Sequence, residues 1–449
     1  MKRRQFIKRV AQAAATASTF AAMPAYSAAR VIGANDRVNL GLIGCGIRGR
    51  GVLKQMLEAP NTALAAVCDV RDLRTVRTRY SYDPQPEGFR DFWRVLEMRE
   101  VDAVIVATPD HWHAIPTVLA CQAGKDVYVE KPLAHNIKEG RAMVEAARRH
   151  NRIVQMGTQR RSAPHYREVE EMVQNGEIGE VHYVRAIDYT GAEPGGLAAA
   201  DGDGRGPDRT ESTPPDDIDW DMWLGPAPWV PFDPDRLYFR PYYDYSGGVI
   251  SDFGTHRLDS VHQVMHADKP LSAMGVGGRF DKSRRGDTPD LLKVTYEYPG
   301  WVLSYEAVQL SSFGTGPRIP GGRKPYLAEG AFDRPHGEAF YGTTGTIVSD
   351  HVGYEYFPAR GAGEPRSVQG RDCTGLHALE FIECVRSRKL PASDVEIGHR
   401  SSIVPHLGNI SYRVGGRKIH WDAGREIIIN DPEASALLSR AARPPWNLI

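Results

Sequence analysis

The feature that most constrains how this chain folds is a short apolar run that leads directly into a glycine-rich turn and then into a helix. The run is Val38–Ile43, and residues 44–49 read Gly-Cys-Gly-Ile-Arg-Gly. Gly44 permits a tight turn, Gly46 lets a pyrophosphate approach the backbone, and Gly49 lets helix and strand pack closely. Because the glycines stand between a strand and a helix, we predict a dinucleotide-binding domain. An α/β fold without a nucleotide is the alternative.

The residues around this turn also indicate which dinucleotide would bind. The phosphates would lie at the helix N-terminus, beside Ile47 and Arg48, where free N–H groups and the helix dipole favour an anion. A second strand ends in Asp69, 25 residues after Gly44, and a carboxylate there binds both ribose hydroxyls and repels a 2′-phosphate. These residues favour NAD as the cofactor. Arg71 keeps NADP open, because a guanidinium there could pair with that phosphate.

Strands and helices continue to alternate through residue 157. The apolar run 102–107 is followed by Thr-Pro-Asp-His-Trp-His, and the run 127–129 is followed by Glu-Lys-Pro. Continuous apolar runs are typical of central strands in a parallel sheet, and ligands bind at the carboxyl ends of such strands. We therefore predict an α/β Rossmann domain. The residues expected to line its cofactor site are Thr108, Pro109, Trp112, His113, Glu130, Lys131 and Pro132.

Length, charge and cysteine usage argue against several other classes of protein. The chain has 449 residues, more than one ordinary core holds, so two domains are expected. Lysine plus arginine and aspartate plus glutamate number 56 each, which argues against a nucleic acid partner. Beyond the N-terminus no apolar run approaches the roughly 18 residues of a membrane span, so no integral span is expected in the mature protein. The five cysteines lack metal-binding spacing, and no metal site is expected.

Residues 1–29 have the features of a twin-arginine export signal. Arg3-Arg4 is followed by Phe6-Ile7-Lys8, then by a mildly apolar stretch and by the small-residue site Ser27-Ala28-Ala29. The alternative is a basic amphipathic helix that stays attached. We predict a periplasmic or otherwise exported protein that folds before export and whose mature chain starts near Arg30.

Four motifs, taken together, carry a resemblance to one enzyme family. They are the glycine turn at 44–49, Thr108-Pro109 with His113, Glu130-Lys131-Pro132, and Asp252-x-Gly254-x-His256-x-x-Asp259. In this order and spacing they resemble the glucose–fructose oxidoreductase and inositol dehydrogenase family, over the chain from Val38 to at least Gly345. The resemblance implies a Rossmann domain followed by an α+β domain with a large, open, mostly antiparallel sheet. In the family that sheet often mediates oligomers, so a dimer or tetramer is expected.

The sequence supports such a second domain independently. Residues 181–187 have strand character, and the runs 294–298 and 302–306 flank a Pro-Gly turn as in a hairpin. The predicted domain boundaries are 30–157 for the NAD-binding domain, 158–397 for a substrate and oligomerisation domain, and 398–449 for a C-terminal extension. Two stretches rich in glycine and proline, 191–217 and 311–339, are predicted to be long loops.

The resemblance also implies roles for individual residues. Lys131 would contact the reacting hydroxyl, His256 would accept its proton, and Asp252 would be the partner of that histidine or a substrate ligand. The loop at 108–113 would contact the nicotinamide half of the cofactor, and Gln159 would be a further cofactor contact. From the residues alone, Asp252 and His256 lie four apart, so on a helix the carboxylate could orient the imidazole or raise its basicity. A helix cap and a core histidine are the structural alternatives.

The segment before this motif contains further candidates for substrate binding. Tyr245 and Arg240 belong to an aromatic run from Tyr238 onward. Aromatic faces and an arginine suit a carbohydrate, and Trp112 could also stack on a sugar ring. Simple packing is the alternative for these aromatic side chains.

These observations predict an NAD-dependent oxidoreductase that acts on a secondary hydroxyl of a sugar, sugar derivative or polyol. Free NAD is not expected outside the cytoplasmic membrane, so the cofactor should be loaded before export and stay tightly bound. Two alternatives remain open. One is a redox-neutral, NAD-using glycosidase that acts through a transient ketosugar, and the other is a non-catalytic module that binds NAD or a sugar.

Overall fold

A computed structural model describes residues 37–189, 213–282, 285–309, 336–359, 361 and 363–447. The predicted export signal at 1–29 lies outside these residues, as do 191–212 and 311–335 of the two predicted loops. Residues 336–339, the end of the second predicted loop, belong to a strand instead, because their backbone pairs with a neighbouring strand.

The N-terminal part of the chain forms a six-stranded sheet in which every neighbouring pair is parallel. Its strands are β1 Val38–Ile43, β2 Thr62–Cys68, β3 Glu87–Phe89, β4 Ala103–Val106, β5 Asp126–Val129 and β6 Val154–Met156. The order β3-β2-β1-β4-β5-β6 reverses the direction of winding between β1 and β4. A crevice opens at the carboxyl ends of the strands at such a point, which is where ligands bind in this architecture.

Five helices connect these strands. They are α1 Ile47–Met56, α2 Asp72–Arg79, α3 Phe92–Glu97, α4 Ala114–Gln122 and α5 Ile137–Arg149. The start of α5 is set by Asn136, whose side chain accepts a hydrogen bond from the Glu139 backbone N–H at 3.0 Å. One side of α5 is buried and the opposite side is polar, which is the pattern of a helix that covers a sheet.

The rest of the chain builds a ten-stranded sheet of order β14-β13-β12-β11-β7-β10-β9-β8-β15-β16. All neighbours are antiparallel except β7 and β10. The strands are β7 Val181–Tyr189, β8 Ser272–Gly278, β9 Leu291–Tyr298, β10 Trp301–Val308, β11 His336–Gly342, β12 Gly345–Asp350, β13 Gly353–Pro358, β14 Arg366–Gln369, β15 Ile419–Asp422 and β16 Ile427–Ile428. The predicted fold class is therefore confirmed, as is the hairpin between β9 and β10.

Among the described residues, helices cover one face of this sheet and leave the other uncovered. The remaining helices are α6 Pro164–Gln174, α7 Trp220–Leu224, α8 Val249–Met265, α9 Thr374–Ser387, α10 Val395–Arg413 and α11 Pro432–Ala436. On the covered face, Val294, Tyr296 and Leu303 are buried in one core with residues of α8 and α10. On the other face, Val276 and Val302 are exposed.

The C-terminal segments join both parts of the molecule. Helix α9 packs against α1, with Phe381 and Ile382 in the same core as Leu53 and Met56. Helix α10 begins at Val395, so the predicted boundary between 397 and 398 falls inside a helix, and β15 pairs with β8 of the large sheet. Within the described residues, no helix is long and apolar enough to cross a membrane.

Candidate active site

The glycine-rich turn leaves space at one glycine and none at the other two. Gly44 has φ +98°, and a Cβ there would lie 2.4 Å from the Ala107 carbonyl oxygen. A Cβ at Gly49 would lie 2.1 Å from the Gly44 carbonyl oxygen, whereas a Cβ at Gly46 would meet nothing within 4 Å. Gly44 and Gly49 are therefore required by packing, and Gly46 faces the open space that a pyrophosphate needs.

Asp69 lies at the end of β2 and binds the turn itself. Its carboxylate accepts the backbone N–H of Cys45 at 2.8 Å and that of Arg71 at 2.9 Å. The side chain of Arg71 pairs with Asp217 at 3.1 Å. Since that guanidinium is engaged by a carboxylate, the geometry favours NAD over NADP at this position, and a dinucleotide fits the residues present.

Three predicted cofactor residues form one cluster that joins α1 to the ends of β5 and β6. Arg48 Nε donates to Glu130 Oε1 at 2.6 Å, and Arg48 Nη2 donates to Gln159 Oε1 at 3.3 Å. The neighbouring Ile47 is 46% exposed. The structure thus brings Arg48, Glu130 and Gln159 together over the carboxyl edge of the sheet.

The loop after β4 is fixed to the turn after β5 by a histidine. The two ring nitrogens of His113 lie 2.7 Å from the Pro132 carbonyl oxygen and 2.9 Å from that of Thr108. The Thr108 hydroxyl is buried and has no hydrogen-bond partner in the described structure, so it is available to a ligand. Pro109 then begins a single 3-10 turn, Asp110–Trp112.

Asp252 on α8 binds two cations. Its Oδ1 pairs with Lys131 Nζ, which also donates to the Asp252 carbonyl oxygen at 3.2 Å, and its Oδ2 accepts from Arg240 Nε at 2.6 Å. Burial alone would raise the pKa of the Asp252 carboxyl, but the charges of Arg240 and Lys131 hold that pKa well below its usual range. The carboxylate therefore stays ionised and fixes both cations at the cleft.

The expected pairing of Asp252 with His256 is absent from the contacts of the described residues, because the carboxylate is occupied by Lys131 and Arg240. The sequence also suggested that Asp252 could make His256 more basic, and the structure shows the opposite. Burial first, and then the charges of Lys131 and Arg160, lower the pKa of His256 well below its usual value. Its Nδ1 is buried without a hydrogen-bond partner. The imidazole is therefore neutral, as a proton acceptor must be before it takes a proton, and burial also makes it a weaker base than an ordinary histidine.

Two predicted ligand contacts are packed into the protein instead. Trp112 is 5% exposed, its indole N–H donates to the Trp223 carbonyl oxygen at 3.0 Å, and its ring meets Trp446 edge-on with centroids 4.7 Å apart. Tyr245 is fully buried, and its hydroxyl binds Arg236 at 3.0 Å. Both rings belong to an aromatic core, which differs from the sugar-stacking role expected for Trp112 and the substrate role expected for Tyr245.

Asp110 was missed by sequence reasoning. It is 5% exposed, and its Oδ2 accepts from the Ser246 hydroxyl at 2.6 Å. Burial raises the pKa of this carboxyl, although the charge of His113 and the Ser246 hydrogen bond partly oppose the increase. The available signal was an acidic residue in the loop that follows a buried parallel strand, four residues beyond the end of β4, a region that often serves a ligand.

The C-terminal segment was also missed. Arg440 donates to Glu139 at 3.2 Å, to the Asp244 carbonyl oxygen at 2.9 Å and to the His111 carbonyl oxygen at 3.1 Å. Trp446, 1% exposed, fills the aromatic core beside Trp112. This segment therefore ties together the loops that carry the site. Arg440 follows His111 by more than 300 residues, so no local sequence pattern could have identified their contact.

Within the described residues, no group of three or more histidine, cysteine, aspartate or glutamate side chains is arranged to hold a metal ion. The site is instead built from one lysine, two carboxylates, an arginine and a neutral histidine. Such a set can bind a hydroxyl group, polarise it and accept its proton.

Family models and solved structures agree with this architecture. Residues 38–158 match the model described as "Oxidoreductase family, NAD-binding Rossmann fold", and residues 200–299 with 373–448 match the companion model for the "C-terminal alpha/beta domain". Among curated proteins, inositol 2-dehydrogenase 2 of Saccharopolyspora erythraea is 33% identical over 36% of this chain and 48% of its own length. The chain thus matches less than half of the length of such relatives.

Two solved structures share the fold over nearly their whole length. A levoglucosan dehydrogenase in complex with NADH and levoglucosan superposes with a TM-score of 0.64 at 16% identity, covering 86% of this chain and 99% of that one. The WlbA dehydrogenase of Bordetella pertussis, in complex with NADH and UDP-GlcNAcA, gives a TM-score of 0.62 at 17% identity with the same coverage. At these identities the likeness establishes the fold alone.

Proposed function

This chain belongs to the glucose–fructose oxidoreductase and inositol dehydrogenase family of NAD-binding oxidoreductases, and from that premise we propose that it oxidises a secondary hydroxyl group of a sugar, sugar derivative or polyol. The observation that carries the proposal is Lys131 held on Asp252 in the cleft beside the neutral His256, whose Nδ1 has no hydrogen-bond partner among the described residues. Relatives that act on inositol and a neighbour that binds levoglucosan support a polyhydroxylated substrate.

Each residue of the site would have a separate role in the oxidation of the hydroxyl group. Lys131 donates a hydrogen bond to the substrate oxygen, and Asp252 holds the Lys131 side chain in place. His256 takes the hydroxyl proton as the C–O bond becomes a carbonyl. The glycine turn and Asp69 would hold NAD, which would supply the acceptor for the hydride that leaves the same carbon. The products are a ketone, NADH and a proton.

The proposal is tested with the purified mature protein and its own cofactor. Native mass spectrometry should find NAD bound, and addition of a reactive sugar should raise the reduced-nicotinamide absorbance with an equal yield of ketosugar. Release of free sugar from a glycoside without lasting NADH would assign the redox-neutral glycosidase reaction instead. Absence of bound NAD after purification would contradict tight retention of the cofactor.

We also propose export of the folded protein through the twin-arginine pathway, supported by the Arg3-Arg4-x-Phe6-Ile7-Lys8 motif. Replacing both motif arginines (Arg3→Lys, Arg4→Lys) should leave a folded, NAD-bound protein in the cytoplasm. Arg9→Lys, a basic residue just outside the motif, is the matched control and should be exported. Normal export of the double variant would refute this route.

The exposed sheet face supports a further proposal, that two or more copies associate through it. Met274 and Val276 on β8 and Val302 on β10 are 44%, 62% and 37% exposed on a face that no described helix covers. Light scattering should find a dimer or tetramer that Val276→Glu with Val302→Glu dissociates. Leu390→Glu, at a site 63% exposed elsewhere, should not. A monomeric wild type would overturn the proposal.

A further inference from the structure

Arg240 presents an unused half of its guanidinium group to the cleft. Its Nε binds Asp252 Oδ2 at 2.6 Å, but its two terminal nitrogens, Nη1 and Nη2, make no hydrogen bond to any residue in the described part of the chain. The side chain is 30% exposed. The guanidinium carbon lies 4.8 Å from the centroid of the Phe239 ring. The guanidinium is thus held in place while its terminal nitrogens remain available to a ligand.

Nearby arginines do not share this property. Arg48 uses Nη2 as well as Nε, on Gln159 and Glu130, and one terminal nitrogen, Nη1, of each of Arg160 and Arg257 donates to Glu338. The guanidinium is a planar donor fork that matches a carboxylate with two parallel hydrogen bonds. A fork left open beside a reaction centre is therefore suited to an anionic group of the substrate.

From this geometry we propose that the substrate is a sugar acid, an aldonate or a uronate, whose carboxylate is bound by the terminal nitrogens of Arg240 while its reacting hydroxyl meets Lys131. The inference rests on the proposed hydroxyl oxidation and adds the substrate class. Arg240 and Lys131 bind the two oxygens of one carboxylate, Asp252, so the two substrate groups would lie a few bonds apart on one small molecule.

The charges of the cleft agree with an anionic substrate. Two cations, Lys131 and Arg240, share the single ionised carboxylate of Asp252. The other acid of the cleft, Asp110, is nearly fully buried, and burial raises the pKa of its carboxyl. Two cations are therefore paired with one carboxylate, and an incoming carboxylate would meet in Arg240 a donor that is already fixed in place.

The experiment compares acids with their neutral counterparts on the NAD-loaded protein. The probes are gluconate against glucose and methyl glucuronide against methyl glucoside, with glucose 6-phosphate as a second anion. Binding is measured by calorimetry, and turnover is measured separately by reduction of the bound NAD. Each acid should bind about 10- to 100-fold more tightly than its neutral partner, the range expected for charge-assisted hydrogen bonds.

Arg240→Lys keeps the positive charge beside Asp252 and removes the fork. Because the test compares the acid-to-neutral affinity ratio within each variant, a general loss of binding cancels. The ratio should fall about tenfold or more in Arg240→Lys. It should stay unchanged in Arg236→Lys, whose guanidinium binds the buried Tyr245 hydroxyl instead.

Three results would overturn the inference: equal affinity for acids and neutral sugars, an unchanged ratio in Arg240→Lys, or preference for glucose 6-phosphate. The proposed oxidation fails in a different way, if acids bind with the expected ratio and yet no sugar of either kind reduces the bound NAD.

Discussion

Helix α8 carries two ion clusters that differ in how fully their groups are bonded. In the cleft cluster, Asp252 with Lys131 and Arg240, the terminal nitrogens of Arg240 have no hydrogen-bond partner among the described residues, and neither does the buried Nδ1 of His256 one turn along. The buried cluster faces the sheet and begins one residue after that histidine. Its members are Arg257, Asp188, Glu338 and Arg160.

In the buried cluster every carboxylate oxygen is occupied. Asp188 accepts from Arg257 at 3.0 Å and from the Tyr305 hydroxyl at 3.1 Å. Glu338 accepts from Arg160 at 3.1 Å and from the Tyr166 hydroxyl at 3.1 Å. Both clusters pair an aspartate with an arginine, so the presence of these residue types does not separate them. What separates them is unsatisfied bonding capacity, which is costly when buried and is retained where a ligand completes it.

The largest effect should follow from removing the cation of the cleft cluster. Lys131→Met deletes the group that binds the hydroxyl, and the rate of bound-NAD reduction should fall on the order of 10²–10⁴-fold, the range for loss of an acid–base group. NAD content and unfolding midpoint should stay near wild type. Single-turnover absorbance measures the rate.

Lys125→Met is the matched control for this change. Lys125 is 4% exposed and its ammonium donates to the carbonyl oxygens of Met98 and Val101, so its loss should lower stability and spare the rate per folded molecule. If Lys131→Met also lost stability and kept its rate per folded molecule, Lys131 would have a structural role like that of Lys125. The proposed difference between the cleft cluster and the rest of the protein would then be wrong.

Breaking the buried cluster should give the converse result. Arg257→Met leaves the carboxylates of Asp188 and Glu338 short of a cation, and the free energy of unfolding should drop by about 3–5 kcal/mol. Denaturant titration measures the drop. Arg94→Met removes a surface ion pair to Glu97 whose arginine is 57% exposed, and it should change stability little. Equal effects of the two variants would contradict the assignment of the buried cluster to stability.

The glycine turn offers a smaller version of the same contrast. Gly44→Ala should destabilise the fold by about 1–3 kcal/mol, because it combines a left-handed backbone with a clash against Ala107. Gly46→Ala has open space and should keep wild-type stability while roughly a tenfold loss of NAD affinity appears, about 1.4 kcal/mol. Unfolding curves and NAD titration distinguish the two variants. Normal NAD binding by Gly46→Ala would show that Gly46 is not part of the phosphate site.

The last effect, small at any one pH near neutrality, concerns a second histidine of α8. His262 binds the Tyr298 hydroxyl at 2.7 Å, and burial lowers its pKa to about 4. Between this value and the ordinary pKa near 6.5, the unfolded chain holds a proton that the folded one lacks. Stability should therefore fall as the pH drops through this window, by up to about 1.4 kcal/mol per pH unit from this residue.

His262→Gln cannot titrate and should make the loss of stability below about pH 6.5 shallower, as measured by denaturant titrations at several pH values. An unchanged slope would mean that His262 is charged in the folded protein.

Local sequence patterns were sufficient for most of the fold. The run before Gly44 and the run before Thr108 predicted β1 and β4, because a buried parallel strand is apolar throughout. The Pro299-Gly300 turn predicted the β9–β10 hairpin, and Gly300 has φ +85°. The rule that ligands meet the carboxyl ends of parallel strands also predicted that the loop after β4 and the turn after β5 would adjoin, as the His113 contacts to both show.

Partners of charged groups were not predictable in this way. Lys131 and Asp252 are 121 residues apart, and sequence spacing favoured His256 as the partner of Asp252. Spacing on a helix brings two side chains to one face, but it does not say which neighbour from another element competes for the carboxylate. The ammonium of Lys131 and the guanidinium of Arg240 bind the Asp252 carboxylate more strongly than a neutral imidazole would. Only the packing of the two sheets brings Lys131 within reach of Asp252.

The sequence by itself therefore determined most strands, the glycine turn and the candidate residues at the ends of β4 and β5, because these follow from local patterns of polarity and backbone freedom. The large second sheet and the roles of Lys131, Asp252 and His256 were expected from the family resemblance. Tertiary structure alone decided that Trp112 and Tyr245 are core residues, that Arg440 ties the loops together, and that Arg240 keeps an open fork. These outcomes depend on which groups meet across distant segments, and whether a polar group is satisfied is a property of its surroundings rather than of its neighbours in the chain.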